Sequence, residues 1–487
     1  MAHRVSEDQP PDATRRPASP DRARLAWKPH TPAMSILGDA RFYVQFLRDP
    51  VDCLIRLDRE PGAKRNFVRK GRQVAFLLGR RENEAILGDP DTFHVLPITL
   101  PGPEGSAQRR IGEGLVNLNG PIHKRHRSLL VPPLAGSALD AYHAPVVAAV
   151  DAMLAGWRAG ETRDLLDDMN RLAIRVSSAT LFAMDDAAEA DRVAATIDRW
   201  FKMNTALGVR LFQRDLPGTP YARMLRAAEE VEATMLALVA KRRAEGAAGD
   251  DILSRLIRAK DEAGAPMGDA ELVGESTIAF VASHETTSKA LAWTLFLLAQ
   301  HPEEARRLVD EIRTVVGDGT PSVEDLGRLP ALDRALKESL RILPPVAFNV
   351  RRANRDTEVL GQTLPVGSTA VFSHYITHHD PAIYPEPECF RPDRWEGFKP
   401  TQFEYLPFSA GPRRCIGEGF TTRMQKITLI RLLQRFRFTL VPGSRFDRHQ
   451  AVTVAPREGV PVTLHPPDGA FERVPVAGAI HQMVKLD

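Results

Sequence analysis

A mainly α fold with a small β region is what this sequence predicts, and three observations carry that prediction. Helical periodicity of apolar residues runs through most of residues 139–343, and strand-like alternation is confined to short stretches such as 67–79 and 356–372. No Gly-, Ser- or Pro-rich linker divides the 487 residues into independent halves. One large domain over residues 34–466 follows, in which 43% hydrophobic and 26% charged side chains are an ordinary balance for a sizeable buried core.

The flanks differ from this domain. Residues 1–33 hold six basic and four acidic side chains with Pro10, Pro11, Pro17, Pro20, Pro29 and Pro32, too little apolar surface to order a segment, so a disordered tail is expected. Residues 467–487 read as a loose C-terminal tail. The net charge of +3 is too small to argue for nucleic acid as a partner. Cys53, Cys389 and Cys415 are too far apart for a zinc or disulfide framework and fit a reducing, cytoplasmic compartment. No apolar stretch reaches the roughly 18–20 residues of a membrane span, so no membrane anchor is expected.

In chain order, residues 41–58 are helical, and Phe67–Gly79 reads as a hairpin turning near Lys70-Gly71. Residues 94–118 mix Pro, Gly and apolar side chains without periodicity, as suits a loop over a pocket. Beyond Gly120-Pro121, His123 and Arg127 stand four apart on one helix face, where the alternative is a solvated basic helix end. Helical patterns follow over 139–159, 167–182, 187–203, 221–245 and 251–262, with the loop 204–219 carrying Gly208, Pro217 and Gly218.

Asp269 can cap a helix over 270–299, whose apolar course is interrupted by Ala279-Phe-Val-Ala-Ser-His-Glu-Thr-Thr287. Mid-helix Ser and Thr can bond back one turn and bend the helix, opening a groove. His284-Glu285 hints at a zinc helix, but Ser288 stands where the second His would be needed, so His284 is structural. After a helix over 303–316, residues 332–343 contain Glu338 and Arg341 as an i, i+3 pair, and paired strands follow around Gly361 and Gly367. His374, His378, His379 and Asp380 could pass for metal ligands; the segment is read instead as a structural crossing. Strands run to Leu464, with Val452 and Val454 reaching the pocket.

The stretch Phe408-Ser-Ala-Gly-Pro-Arg-Arg-Cys-Ile-Gly417 is a loop built to hold one cysteine. Gly411 and Gly417 leave room for a flat ligand, and a helix N-terminus beside Arg413 and Arg414 is expected to lower the Cys415 thiol and favour the thiolate that ligates a metal. A buried cysteine in an ordinary turn is the plain alternative.

Phe408, Gly411, Arg413, Cys415 and Gly417 together match the cysteine loop of the cytochrome P-450 family, and the sequence over residues 34–466 resembles that family. The resemblance implies the cytochrome P-450 fold and a haem (heme b) whose iron is bound by Cys415. His123, Arg127 and Arg351 are implied as propionate ligands, with Phe408, Gly411, Arg413 and Gly417 completing the cofactor site. Glu285 and Thr286 resemble the acid–alcohol pair that relays protons for O–O cleavage, with Ser283 in the usual glycine place. Glu338 and Arg341, with Arg394 of a Pro387-x-x-Phe390-x-Pro392-x-Arg394 segment, resemble a buried structural triad.

The implied activity is a monooxygenase that inserts one oxygen atom of O2 into a small lipophilic substrate by hydroxylation or epoxidation. With no fused flavin or iron–sulfur domain, electrons are expected from a separate ferredoxin or similar acidic donor with its reductase. Seven basic residues against Glu418 between Arg413 and Arg437, beside Lys124-Arg125, would form a positive docking face for it. A peroxide-driven hydroxylase of the same fold would be expected to lack the Glu285-Thr286 pair, and a non-enzymatic haem sensor would need neither that pair nor a docking face.

Overall fold

The computed structural model describes residues 42, 44–60, 66–69, 72–450 and 452–486. The expected tail over 1–33 and the hairpin turn at Lys70-Gly71 lie outside them.

The organising element is a helix 32 residues long, Asp269–Gln300, which at 1.5 Å per residue spans about 48 Å. Gly268, not Asp269, caps it: the Gly268 N–H donates to Glu271 Oε2 at 2.8 Å, while Asp269 lies inside the first turn and pairs with Arg243. Its far end stops where His301 Nδ1 bonds the Leu297 carbonyl and Pro302 opens the next helix. Nearly every side chain from Leu272 to Gln300 is buried, so this is a central helix rather than a surface one.

The helices that build the site around it are α1 (Gly120–Leu130), α2 (Leu165–Phe182), α3 (Ala187–Thr205), α4 (Pro220–Ala244), the central helix α5 (Asp269–Gln300), α6 (Pro330–Ile342) and α7 (Glu418–Arg435). Helix α2 packs most extensively along α5, stacking Phe182 on Phe280. A five-stranded sheet comprises β1 (Asn66–Arg69), β2 (Arg72–Phe76), β3 (Phe93–Val95), β4 (Asn349–Ala353) and β5 (Thr369–Phe372), in the order β1-β2-β5-β4-β3. The expected hairpin is antiparallel with Phe67 opposite Val74, and in β4 Arg351 lies between Val95 and Ala370.

Two expectations need correction. The helical pattern over 251–262 ends at Arg258, because Ala259 is extended and Lys260 bridges to Pro266. The segment beyond β-strand Pro461–His465 is not loose. Phe471, Ile480, Met483, Val484 and Leu486 are buried, the Lys485 N–H donates to the Glu388 carbonyl at 2.7 Å, and Arg306 donates to the Phe471 carbonyl at 2.7 Å. These apolar side chains follow no regular period, so no pattern in sequence announced their burial.

Against the expectation that no apolar stretch reaches the length of a membrane span, one stretch of the described residues, Gly136–Ala155, is long and apolar enough by composition. It is a 3-10 segment followed by a helix, with Leu139, Tyr142, Val146, Val150 and Leu154 turned into the core and Asp151 paired with Arg431 and Arg435.

Candidate active site

Cys415 sits three residues before α7. Its N–H donates to the Phe408 carbonyl at 2.8 Å, which closes the loop, and its sulfur accepts from the N–H groups of Gly417 and Glu418 at the helix start. The side chain has accessible surface yet is enclosed by protein, as befits a thiol facing an internal cavity. Burial pushes the thiol up, and the two N–H groups and Arg127 only partly offset it. The lowered thiol expected from sequence is therefore not observed. A positive centre at Sγ is what would favour the thiolate here.

Gly411 has φ +65°, and a Cβ there would stand 2.5 Å from the Leu87 carbonyl. A turn and a close backbone contact therefore already require glycine there. At Gly417 a Cβ would meet the Cys415 sulfur itself at 3.8 Å.

Around the loop gathers a group of cations with no acid. Arg127 comes from α1, Arg351 from β4 and Arg413 from the loop. Among the described residues no Asp or Glu lies within ion-pair distance of any of the three. Burial, then mutual repulsion, lowers Arg413 to about 10 (against Arg127) and Arg351 to about 10 (against Arg413). His123 is driven down to about 4 by burial, Arg413 and Arg127. One Arg413 nitrogen donates to Asn119 Oδ1 at 2.9 Å, while its Nε is buried without a partner. Such a cluster costs free energy until an anion satisfies it. A haem, with two carboxylates at one edge and an iron for a sulfur ligand, fits the donor set, so His123, Arg127, Arg351 and Arg413 would hold the carboxylates and Cys415 the iron.

Behind the loop the three residues of the expected triad meet. Glu338 is bidentate to Arg341 at 2.9 Å and accepts from Arg394 Nε at 2.8 Å, the Arg391 N–H at 2.9 Å and Trp395 Nε1 at 3.0 Å. Arg341 spends its remaining N–H groups on the carbonyls of His378 and Pro387. Burial alone would raise the Glu338 carboxyl; Arg341 and Arg394 hold it below the usual range.

On the central helix, Ala282 is exposed and Ser283, Glu285 and Thr286 are half-exposed within an otherwise buried run, which marks an internal cavity. Thr286 Oγ1 bonds the Ala282 carbonyl at 3.0 Å on that side. Glu285 is turned aside: its Oε2 lies 3.0 Å from Lys289 Nζ and accepts from Thr453 Oγ1 at 3.3 Å. Ser283 Oγ donates to the Phe280 carbonyl at 2.9 Å and accepts from Ser177 Oγ of α2 at 2.7 Å. His284 is structural, bonding the Phe280 carbonyl through Nδ1 and lying 3.2 Å from Asp198 of α3.

Sequence reasoning missed Lys289, Thr453 and Asn119. Lys289 was legible as an i+4 partner of Glu285. Thr453 was not, because only the fold returns its hairpin to α5, where the Val454 carbonyl accepts from Trp293 Nε1 at 3.0 Å and Val452 stays on the surface.

The positive docking face is largely neutralised. Arg414 pairs with Glu418, Arg423 with Asp140, Lys426 with Asp333, Arg431 and Arg435 with Asp151, and Arg437 with Asp468. Arg125 is taken by Asp261 and Glu271, which leaves Lys124 exposed on α1. Apart from Glu418, which is an i+4 neighbour of Arg414, these acids are remote in sequence from the cations they cancel.

A family model described as Cytochrome P450 matches residues 33–459. Cyclooctat-9-en-7-ol 5-monooxygenase of Streptomyces melanosporofaciens is 31% identical over 350 residues, 69% of this chain and 75% of that protein. Pentalenene oxygenase of Streptomyces avermitilis is 30% identical over 341 residues, 68% of this chain and 75% of that protein. A cyanobacterial CYP120A1 with retinoic acid bound superposes with a TM-score of 0.75 at 25% identity, covering 87% of this chain and 96% of that one.

Proposed function

This chain belongs to the cytochrome P450 family and is a haem-thiolate monooxygenase, and from that premise we propose that Cys415 is its iron ligand and a hydrocarbon-rich molecule its substrate. The observation that carries the site assignment is the acid-free cluster of Arg127, Arg351 and Arg413 around the cysteine loop. The family match over residues 33–459 and the packed C-terminal segment beyond it support reading them as one domain.

When bound, the haem supplies the activation of dioxygen, with electron donation from the thiolate favouring O–O cleavage. The chain's own residues do the rest. Of the apolar side chains proposed to meet such a substrate, Val346 and Phe348 are half-buried, while Ile111 and Phe280 are fully packed into the core and Leu115 is nearly so. Thr286 Oγ1, open to the cavity and anchored on the Ala282 carbonyl, is placed to hand on a proton. Glu285 is its reservoir, held by Lys289 and Thr453 until its carboxylate turns toward Thr286. Electrons come from a separate ferredoxin-like donor and its reductase. With the α7 cations paired internally, Lys124 on α1 is the exposed charge of the expected face proposed to attract an acidic partner. The free state of Cys53, Cys389 and Cys415 supports a reducing, cytoplasmic setting.

The substrate class follows the relatives' names, an alkene and an alkenol acted on by an oxygenase and a monooxygenase. A spin-state titration with pentalenene, cyclooctat-9-en-7-ol, a fatty acid and a steroid tests it: a shift with the first two is expected. Shifts confined to the fatty acid would overturn the class.

Thr286→Ala is expected to cut product formed per donor electron by up to about a hundredfold, the low end of what a positioned proton donor contributes. Peroxide-supported turnover should be spared. Equal loss in both modes would remove Thr286 from the relay.

A further inference from the structure

Three histidines lie in one turn after β5, and two of them are satisfied. His378 Nδ1 meets the Arg341 carbonyl at 3.1 Å and its Nε2 accepts the Leu406 N–H at 2.8 Å. His379 bonds the carbonyls of Tyr375 at 2.9 Å and Met483 at 3.3 Å. His374 differs: it is 1% exposed, and neither ring nitrogen has a hydrogen-bond partner.

Its surroundings say what is missing. The Val346 carbonyl is close enough to favour an N–H but stands outside hydrogen-bond geometry. Arg351 faces it as a cation, and Arg413 stands beyond Arg351. The Phe372 ring neighbours both, 5.7 Å from the imidazole and 5.3 Å from the Arg351 guanidinium. Burial first, and Arg351 second, drive the imidazole down to about 4, so the pocket rejects further positive charge. A buried ring with both nitrogens idle is costly. An acceptor that also neutralises Arg351 would remove that cost.

We propose that His374 donates a hydrogen bond to the same haem carboxylate as Arg351, making it a positioning residue that retains the cofactor. This rests on the haem reading above. The Ser373 hydroxyl, bonded to the Ala347 carbonyl at 2.9 Å, and the Tyr375 N–H, bonded to the same carbonyl at 3.0 Å, fix the turn that aims the ring.

The test uses the purified holoprotein. Haem transfer to excess apomyoglobin is expected to run about tenfold faster in His374→Phe, the loss of one hydrogen bond to a charged group. The propionate bending band in the resonance Raman spectrum should shift, and His374→Gln should restore both toward the native values. Unchanged transfer, faster transfer with an unmoved Raman band, or a Gln variant identical to Phe would overturn the proposal. If the Phe variant does not accumulate, His374→Asn, polar but too short, is expected to behave as Phe would. A native protein whose reduced carbon monoxide complex lacks the red-shifted Soret band would instead refute the thiolate reading and leave the His374 comparison decisive by its own two readouts.

Discussion

Cys415→Ser is expected to abolish monooxygenase turnover and to remove the strongly red-shifted Soret band of the reduced carbon monoxide complex. Sulfur is replaced by an oxygen of similar reach that stays protonated, so the N–H groups of Gly417 and Glu418, which face Sγ, have no thiolate to stabilise. Loss of an outer-sphere partner costs a metal site about 10–100-fold in affinity or activity, and loss of the ligand itself should exceed that. The chain should still fold, because the loop closes through a backbone bond, from the Cys415 N–H to the Phe408 carbonyl, that serine keeps. Retention of the red-shifted band in the serine protein would assign the ligand elsewhere, to be sought among Cys53 and Cys389.

Glu338→Gln is expected to cost about 3–5 kcal/mol, the penalty for breaking a buried ion pair and stranding its partner. Glu338 and Arg341 are fully buried, and one carboxylate accepts from Arg341, Arg394, the Arg391 N–H and Trp395. An amide presents one oxygen where these donors need two, and its NH2 group would face guanidinium hydrogens. Against a typical total stability of about 5–15 kcal/mol, little folded protein should remain. Denaturant unfolding and the yield of haem-loaded protein measure it. A variant as stable as the native chain would mean that the network is decoration. Because Arg341 also holds the carbonyls of His378 and Pro387, the damage should spread to the turn carrying His374.

The site was legible in proportion to how local its parts are. The cysteine loop, the Glu285-Thr286 cluster and the Glu338/Arg341 pair each lie within one turn or loop, and each appears where the spacing put it. Misreadings came where function depends on what meets a side chain from elsewhere. Glu285 was identified as an acid, yet its orientation is set by Thr453, 168 residues away. The basic stretch after Cys415 read as a docking face, yet Asp140, Asp151, Asp333 and Asp468 cancel most of it. His374 passed for one of three equivalent histidines until burial showed that it alone lacks partners.

By itself the sequence determined the element types, the central helix, the family and the cysteine loop, because helical period, turn residues and short motifs are properties of neighbours along the chain. Only the tertiary structure decided which charges remain unpaired. An ion pair depends on distance in space, and burial changes its worth by removing water. Arg351 and Arg431 look alike in sequence. One is paired with Asp151; the other stands buried with no acid beside it, and that difference is what marks the cofactor site.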